Sequence, residues 1–183
     1  MRIFSVLTLL AALAGAAPAQ GMRYPLSQRG SVGQTVAYTT IEITYGRPFA
    51  RGRTLFGDGA VVKYDRMWHP GADSATRITF DHDVEIEGHA VKAGEYSIWV
   101  MPQDSATWQF ILNRKAHVFH TQYPGESNDA LRVAIHTERG AYLETLTYDF
   151  PVVVRDSATL RLQWGEMILP VRIVAPYSPP GSS

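Results

Sequence analysis

Apolar and polar residues alternate along most of this 183-residue chain. That two-residue period is the repeat of a β-strand with one face buried and the other in water. In the first clear run, Val36 to Tyr45, the residues Ile41, Ile43 and Tyr45 share one face. Thr76 to Ile86 is the second run. Val91 to Met101 is apolar on both faces, with Tyr96, Ile98 and Val100 alternating with Trp99 and Met101; a strand in the middle of a sheet reads this way. Trp108, Phe110 and Leu112 mark the next strand, and Leu131, Val133 and Ile135 the one after. Leu143 to Phe150, Leu160 to Trp164 and Met167 to Val174 complete the set. Turn residues separate these runs at intervals of roughly ten, the spacing of a sandwich or barrel. Trp164-Gly165-Glu166-Met167 reads as a tight hairpin between the last two. The pattern predicts an all-β fold: one antiparallel β-sandwich, jelly-roll or Ig-like, of roughly eight to ten strands, with no second domain.

The ends of the chain read differently. Arg2, the apolar stretch Ile3 to Leu13 and the small residues of Ala17-Pro18-Ala19 have the order of a secretory signal peptide, 1–19, cleaved before Gln20. The apolar stretch is shorter than the roughly 20 residues that a membrane-spanning helix needs. The domain is expected over residues 20–175, and the Pro/Ser/Gly-rich tail 176–183 as disordered. This makes the mature protein an exported domain, periplasmic or extracellular, without cysteine. It must therefore hold together by packing, and cysteine nucleophiles and thiolate metal ligands are excluded. Loss of Arg2 leaves 16 basic residues against the 17 acidic ones. Such a balance makes no field for nucleic acid or an anionic membrane surface.

Chemistry concentrates in two loops. Tyr45 to Gly57 carries Arg47, Arg51 and Arg53 among glycines, a proline and aromatics, and Trp68-His69-Pro70-Gly71-Ala72-Asp73 follows. Guanidiniums present planar paired donors that match carboxylate, phosphate or sulfate. A pocket of Tyr45, Arg47, Arg51, Arg53, Trp68, His69 and Asp73 would take a small polar or anionic ligand. The alternative is that each arginine pairs with a carboxylate such as Asp58, Asp65 or Asp73 and clamps the loop to the sandwich. Six histidines are present, at positions 69, 82, 89, 117, 120 and 136. Two or three of His69, His82, His117 and His120 are the candidates for zinc or copper, but no metal-binding signature joins them. No cofactor is expected. Strand alternation points His82 inward with Val84 and Ile86, and sets Asp81, Asp83, Glu85 and Glu87 on the outward face, as a solvated edge or a set of acids for calcium or glycoside chemistry. Gly125 to Asp129 reads as a polar turn, not a nucleophile motif. Trp99, Trp108 and Trp164 read as core, and Trp68 as half exposed beside the arginines.

The two loops, together with Ala93-Gly94-Glu95-Tyr96-Ser97 and the strand Trp108 to Asn113, resemble the bacterial DUF2911 family of secreted domains of unknown function. The resemblance covers nearly the whole mature chain. His69 stands where the family pattern has Arg, and Asp73 where it has Asn. An anion-binding role resting on that Arg therefore does not carry over, and the family supplies no catalytic residues. The leading expectation is a non-enzymatic exported binding or envelope-associated module. A metal-dependent or acid–base hydrolase using His69, Asp73 and a second histidine is the alternative, and a structural module locked by its arginine loop is the third reading.

Overall fold

The computed structural model describes residues 25–119 and 122–176. Residues 1–19, expected to be a signal peptide, together with His120 and residues 177–183 lie outside the described residues. The strands are β1 (Gln28–Val36), β2 (Thr39–Arg47), β3 (Arg77–Phe80), β4 (Val84–Ile86), β5 (His89–Val91), β6 (Gly94–Met101), β7 (Thr107–Asn113), β8 (Asp129–His136), β9 (Glu138–Val153) and β10 (Ser157–Val174), with one 3₁₀ turn at Glu126–Asn128. They form two antiparallel sheets, ordered β1-β2-β3-β6-β7-β8 and β5-β4-β10-β9. The chain is an all-β sandwich. Its core lies between the sheets, where Ile43, Ile78, Ile98 and Phe110 of the larger sheet meet Leu146, Leu160, Val171 and Ile173 of the smaller one. Each such side chain stabilises the fold by about 1.5–3 kcal/mol through leaving water.

Strand β6 sits inside the larger sheet, as its two apolar faces require. Tyr96, Ile98 and Val100 point into the core, while Trp99, only 2% exposed, lies on the other face. There its indole N–H donates to Ser97 Oγ at 2.9 Å, and the His69 and Tyr123 rings meet it edge-on at 5.7 and 5.4 Å. Loops thus cover the outside of this sheet's centre. Trp108 and Trp164 are buried between the sheets.

Strand β1 is an addition to the sequence reading. Its residues are mostly polar, and only Val36 is fully buried, so an edge strand leaves little alternation to read.

The run Thr76 to Ile86 is not one strand. It is β3 and β4, and these belong to different sheets. The break falls at Asp81 to Asp83, where the carboxylates serve the turn. Asp81 Oδ1 accepts the Thr40 N–H at 2.7 Å, and Asp83 Oδ1 accepts the Ala93 N–H at 2.8 Å. The Lys92 ammonium, then the Ala93 N–H, hold the Asp83 carboxyl below the usual carboxylate range. Glu87 and Gly88 both take positive φ, 50° and 80°, in the β4–β5 turn, the backbone of a type I′ hairpin. The inward placement of His82 and the four-acid face are therefore corrected. His82 is exposed and bonded to Asp81, and of the four acids only Glu85 lies within a strand.

The long element β10 doubles back. Ala175 N–H, just past its end, donates to Asp156 O, just before its start, at 2.8 Å. An uninterrupted strand of that length would hold those ends roughly 60 Å apart. The fold-back is centred on Gly165-Glu166, where Gly165 takes φ 57°; glycine at the first central position suits a type II′ turn. The hairpin expected at Trp164 to Met167 is thus present. Strand β9 pairs along the first arm, sets Leu143 opposite Gly165, and reaches Met167 and Ile168 with Arg139 and Glu138.

Candidate functional site

The segment following β2 is a strap that crosses from the larger sheet to the free edge of β9. It begins in the core, where Tyr45 meets Tyr148 edge-on at 4.7 Å and its hydroxyl accepts the Tyr148 N–H at 3.2 Å. Arg47 reaches β9 through Nη2 to Thr147 Oγ1 at 3.2 Å, with Nε 3.5 Å from Leu146 O. The backbone then pairs with β9 directly: Leu146 N–H donates to Pro48 O at 3.0 Å, and Ala50 N–H to Glu144 O at 2.8 Å. Arg51 N–H donates to Glu144 Oε1 at 2.6 Å. Arg53 curls back, giving Nε to Ala50 O at 2.9 Å and Nη2 to Phe49 O at 2.6 Å. Leu55 and Phe56 finish the strap. Phe56 packs against Trp68, Trp108 and Trp164 with ring centroids 5.1–6.3 Å apart.

The second loop holds the strap from behind. Trp68 exchanges both backbone hydrogen bonds with Val100 at 2.8 Å and stacks on Trp164 at 6.2 Å. His69 is buried, and its Nε2 accepts the Thr76 N–H; the ring is therefore neutral, with its proton on Nδ1. Pro70 O accepts hydroxyls from Thr76 and Tyr148, at 2.8 and 2.9 Å. Asp73 is exposed, with φ 64°.

The three arginines consequently diverge. Arg47 and Arg53 bind carbonyl and hydroxyl oxygens, not Asp58, Asp65 or Asp73, and the Arg51 side chain points to solvent. Tyr45 is a core residue, His69 is buried against Trp99 on the outer face of the larger sheet, and Trp68 is half-buried against the aromatic cluster of Phe56, Trp108 and Trp164. Of the residues named from sequence for the ligand pocket, Arg53 borders the groove at the strap's end.

That groove, of about 360 Å³, lies where the strap meets the β10 hairpin, between Arg53, Thr54, Leu55, Phe56 and Tyr64 on one side and Arg139, Tyr142, Trp164, Gly165, Glu166 and Met167 on the other. Gly165 makes room for both walls, because a Cβ there would stand 2.8 Å from Leu55 Cδ1 and 3.7 Å from the Tyr142 ring. Tyr142 is 54% exposed, and its hydroxyl donates to Glu144 Oε2 at 3.1 Å. Glu144 therefore orients the strap with one oxygen and the groove's tyrosine with the other. Desolvation and the Glu144 carboxylate push the Tyr142 phenol up, so it stays protonated. Arg139 pairs with Glu166 at 2.9 Å.

Another groove, of about 350 Å³, is bordered by Arg29, Ser74, Arg77, His117 and Phe119. There His117 Nδ1 stands 3.0 Å from Arg77 Nη1, and its Nε2 stands 2.7 Å from Glu95, so both ring nitrogens have protein partners. Tyr123, Asp129, Arg132 and Asn113 tie the 3₁₀ turn to β7. Among the described residues, no group of three His, Asp or Glu side chains is placed to hold a metal ion, and no helix is long and apolar enough to cross a membrane.

The protein is thus an antiparallel β-sandwich closed by a strap, with an aromatic groove at the strap's end. The chain belongs to the DUF2911 family: the family model described as "Protein of unknown function (DUF2911)" matches residues 27–173. Comparison with curated proteins and with solved structures returned no match.

Proposed function

We propose that this protein is an exported, non-enzymatic binding module that holds a small polar ligand in the groove at the end of the strap. The observation that carries this reading is the build of the groove. The Arg53 guanidinium is fixed by two carbonyls at the rim, and a half-exposed Tyr142 is oriented by Glu144 on the facing wall. A preformed concave site with ring walls and a few fixed polar groups is the usual form of a small-molecule site. Its volume falls within the 300–1,000 Å³ common for such sites. Two nitrogens of Arg53 are engaged by carbonyls, and the charge they anchor faces any acid group the ligand brings.

A second reading has an observation of its own. Arg47 and the strap backbone bond β9 of the other sheet, and Arg53 fastens the strap to itself, so the strap can serve purely to lock the two sheets together. A thermal-shift screen of phosphate, sulfate, citrate, glucose and glucuronate against wild type and Tyr142→Ala separates the two. Binding stabilises by about 2.7 kcal/mol at a hundredfold excess over Kd, and that gain disappears in the variant. If every compound leaves the wild-type melting temperature where it was, the strap is a structural lock and the binding reading is wrong.

A further inference from the structure

Resting on that reading, we infer that the ligand is an oligosaccharide of at least two sugar units. A second groove, of about 300 Å³, borders the first and shares Tyr64, Arg139 and Met167 with it. Its far end is lined by Asp104, Ser105, Ala106 and Thr137. On this inference the two grooves act as one trough, with Tyr64 and Arg139 at the waist.

The far groove is also preformed. Thr137 grips Ala106 O through its N–H at 2.7 Å and its hydroxyl at 3.1 Å. Trp108 N–H holds the same loop through Gln103 O at 3.0 Å.

The lining decides the ligand class. Arg53 and Arg139 are balanced by Asp104 and Glu166, so the trough has no net charge to attract a polyanion. Tyr64 and Tyr142 offer ring faces. The guanidiniums and the Thr54 hydroxyl supply donors, and the carboxylates supply acceptors, as do the Ser105 and Thr137 hydroxyl oxygens, whose protons go to the Thr107 and Ala106 carbonyls. Apolar C–H faces beside dense hydroxyl groups are the chemistry of a sugar ring, and a trough two grooves long accepts more than one.

Calorimetric titration of the mature chain with glucose, cellobiose and cellotriose, and with N-acetylglucosamine, chitobiose and chitotriose, tests this. In one series, affinity should rise about tenfold or more from one unit to two. Tyr64→Ala should weaken every member. Ser105→Trp, which fills the far groove from an exposed position, should remove the gain with length and spare the single sugar; Asp104→Ala is the substitute if the melting temperature shows that Ser105→Trp misfolds. Equal affinity at all lengths, or no saccharide bound, would overturn the inference. The binding reading then stands if a small polar compound still shifts the wild type and not Tyr142→Ala, and falls with it if none does.

Discussion

Arg47 and Arg51 belong to the same strap and use their atoms in opposite ways. Arg47 bonds β9 through its guanidinium, whereas Arg51 contributes its backbone N–H to Glu144 and leaves its side chain in solvent. Alanine deletes a side chain and keeps an N–H. Arg47→Ala should cost about 1.5–3 kcal/mol, the usual contribution of hydrogen bonds to a charged group. Arg51→Ala should stay within about 0.5 kcal/mol of wild type, as for an exposed side chain. Urea denaturation of the two variants checks this, and equal losses would show that the Arg51 guanidinium has a partner of its own. Glu144, which binds Arg51 across 93 residues of chain, could not have been picked from the sequence. It sits in an alternating run like any solvent-facing acid, and its role exists only once strap and β9 are adjacent.

At the scale of the elements, two glycines govern how the strap lies down. A Cβ on Gly46 would collide with the Ala72 carbonyl, because the strap's entry and the second loop touch backbone to backbone there. Backbone cannot step aside as a side-chain end can. Gly46→Ala should therefore cost about 1–3 kcal/mol, the range for overpacking, and be seen as a drop in melting temperature. An unchanged melting curve would mean that the two loops are not seated together. Gly165 acts on the other wall, turning β10 and leaving room for Leu55 and Tyr142. The acids at Asp81 and Asp83 show how a strand period misleads. The alternation runs through them unbroken, yet carboxylates accepting N–H groups from Thr40 and Ala93 make a crossing between sheets. Side-chain bonds to a distant backbone are stronger than the preference they override.

For the molecule as a whole, the N-terminal reading leads to a test independent of the groove. If residues 1–19 are a secretory signal, mass spectrometry of the protein from its native host should find an N-terminus at Gln20; recovery of intact Met1 would refute export. The all-β class, the central position of β6, the burial of Trp99, Trp108 and Trp164 and the turn at Gly165 were determined by the sequence alone. Each rests on a local rule: a two-residue period, apolarity on both faces of one strand, or glycine between two apolar runs. Tertiary structure alone decided that Arg47, Arg51 and Arg53 part company, that His69 is buried and His82 on the surface, and that grooves sharing Tyr64, Arg139 and Met167 lie beside Arg53 and Thr137. The physical reason is that a side chain's partner is whatever the fold brings within about 3 Å. Here the partners are carbonyls and carboxylates on strands far away in the chain, which no spacing in the sequence encodes.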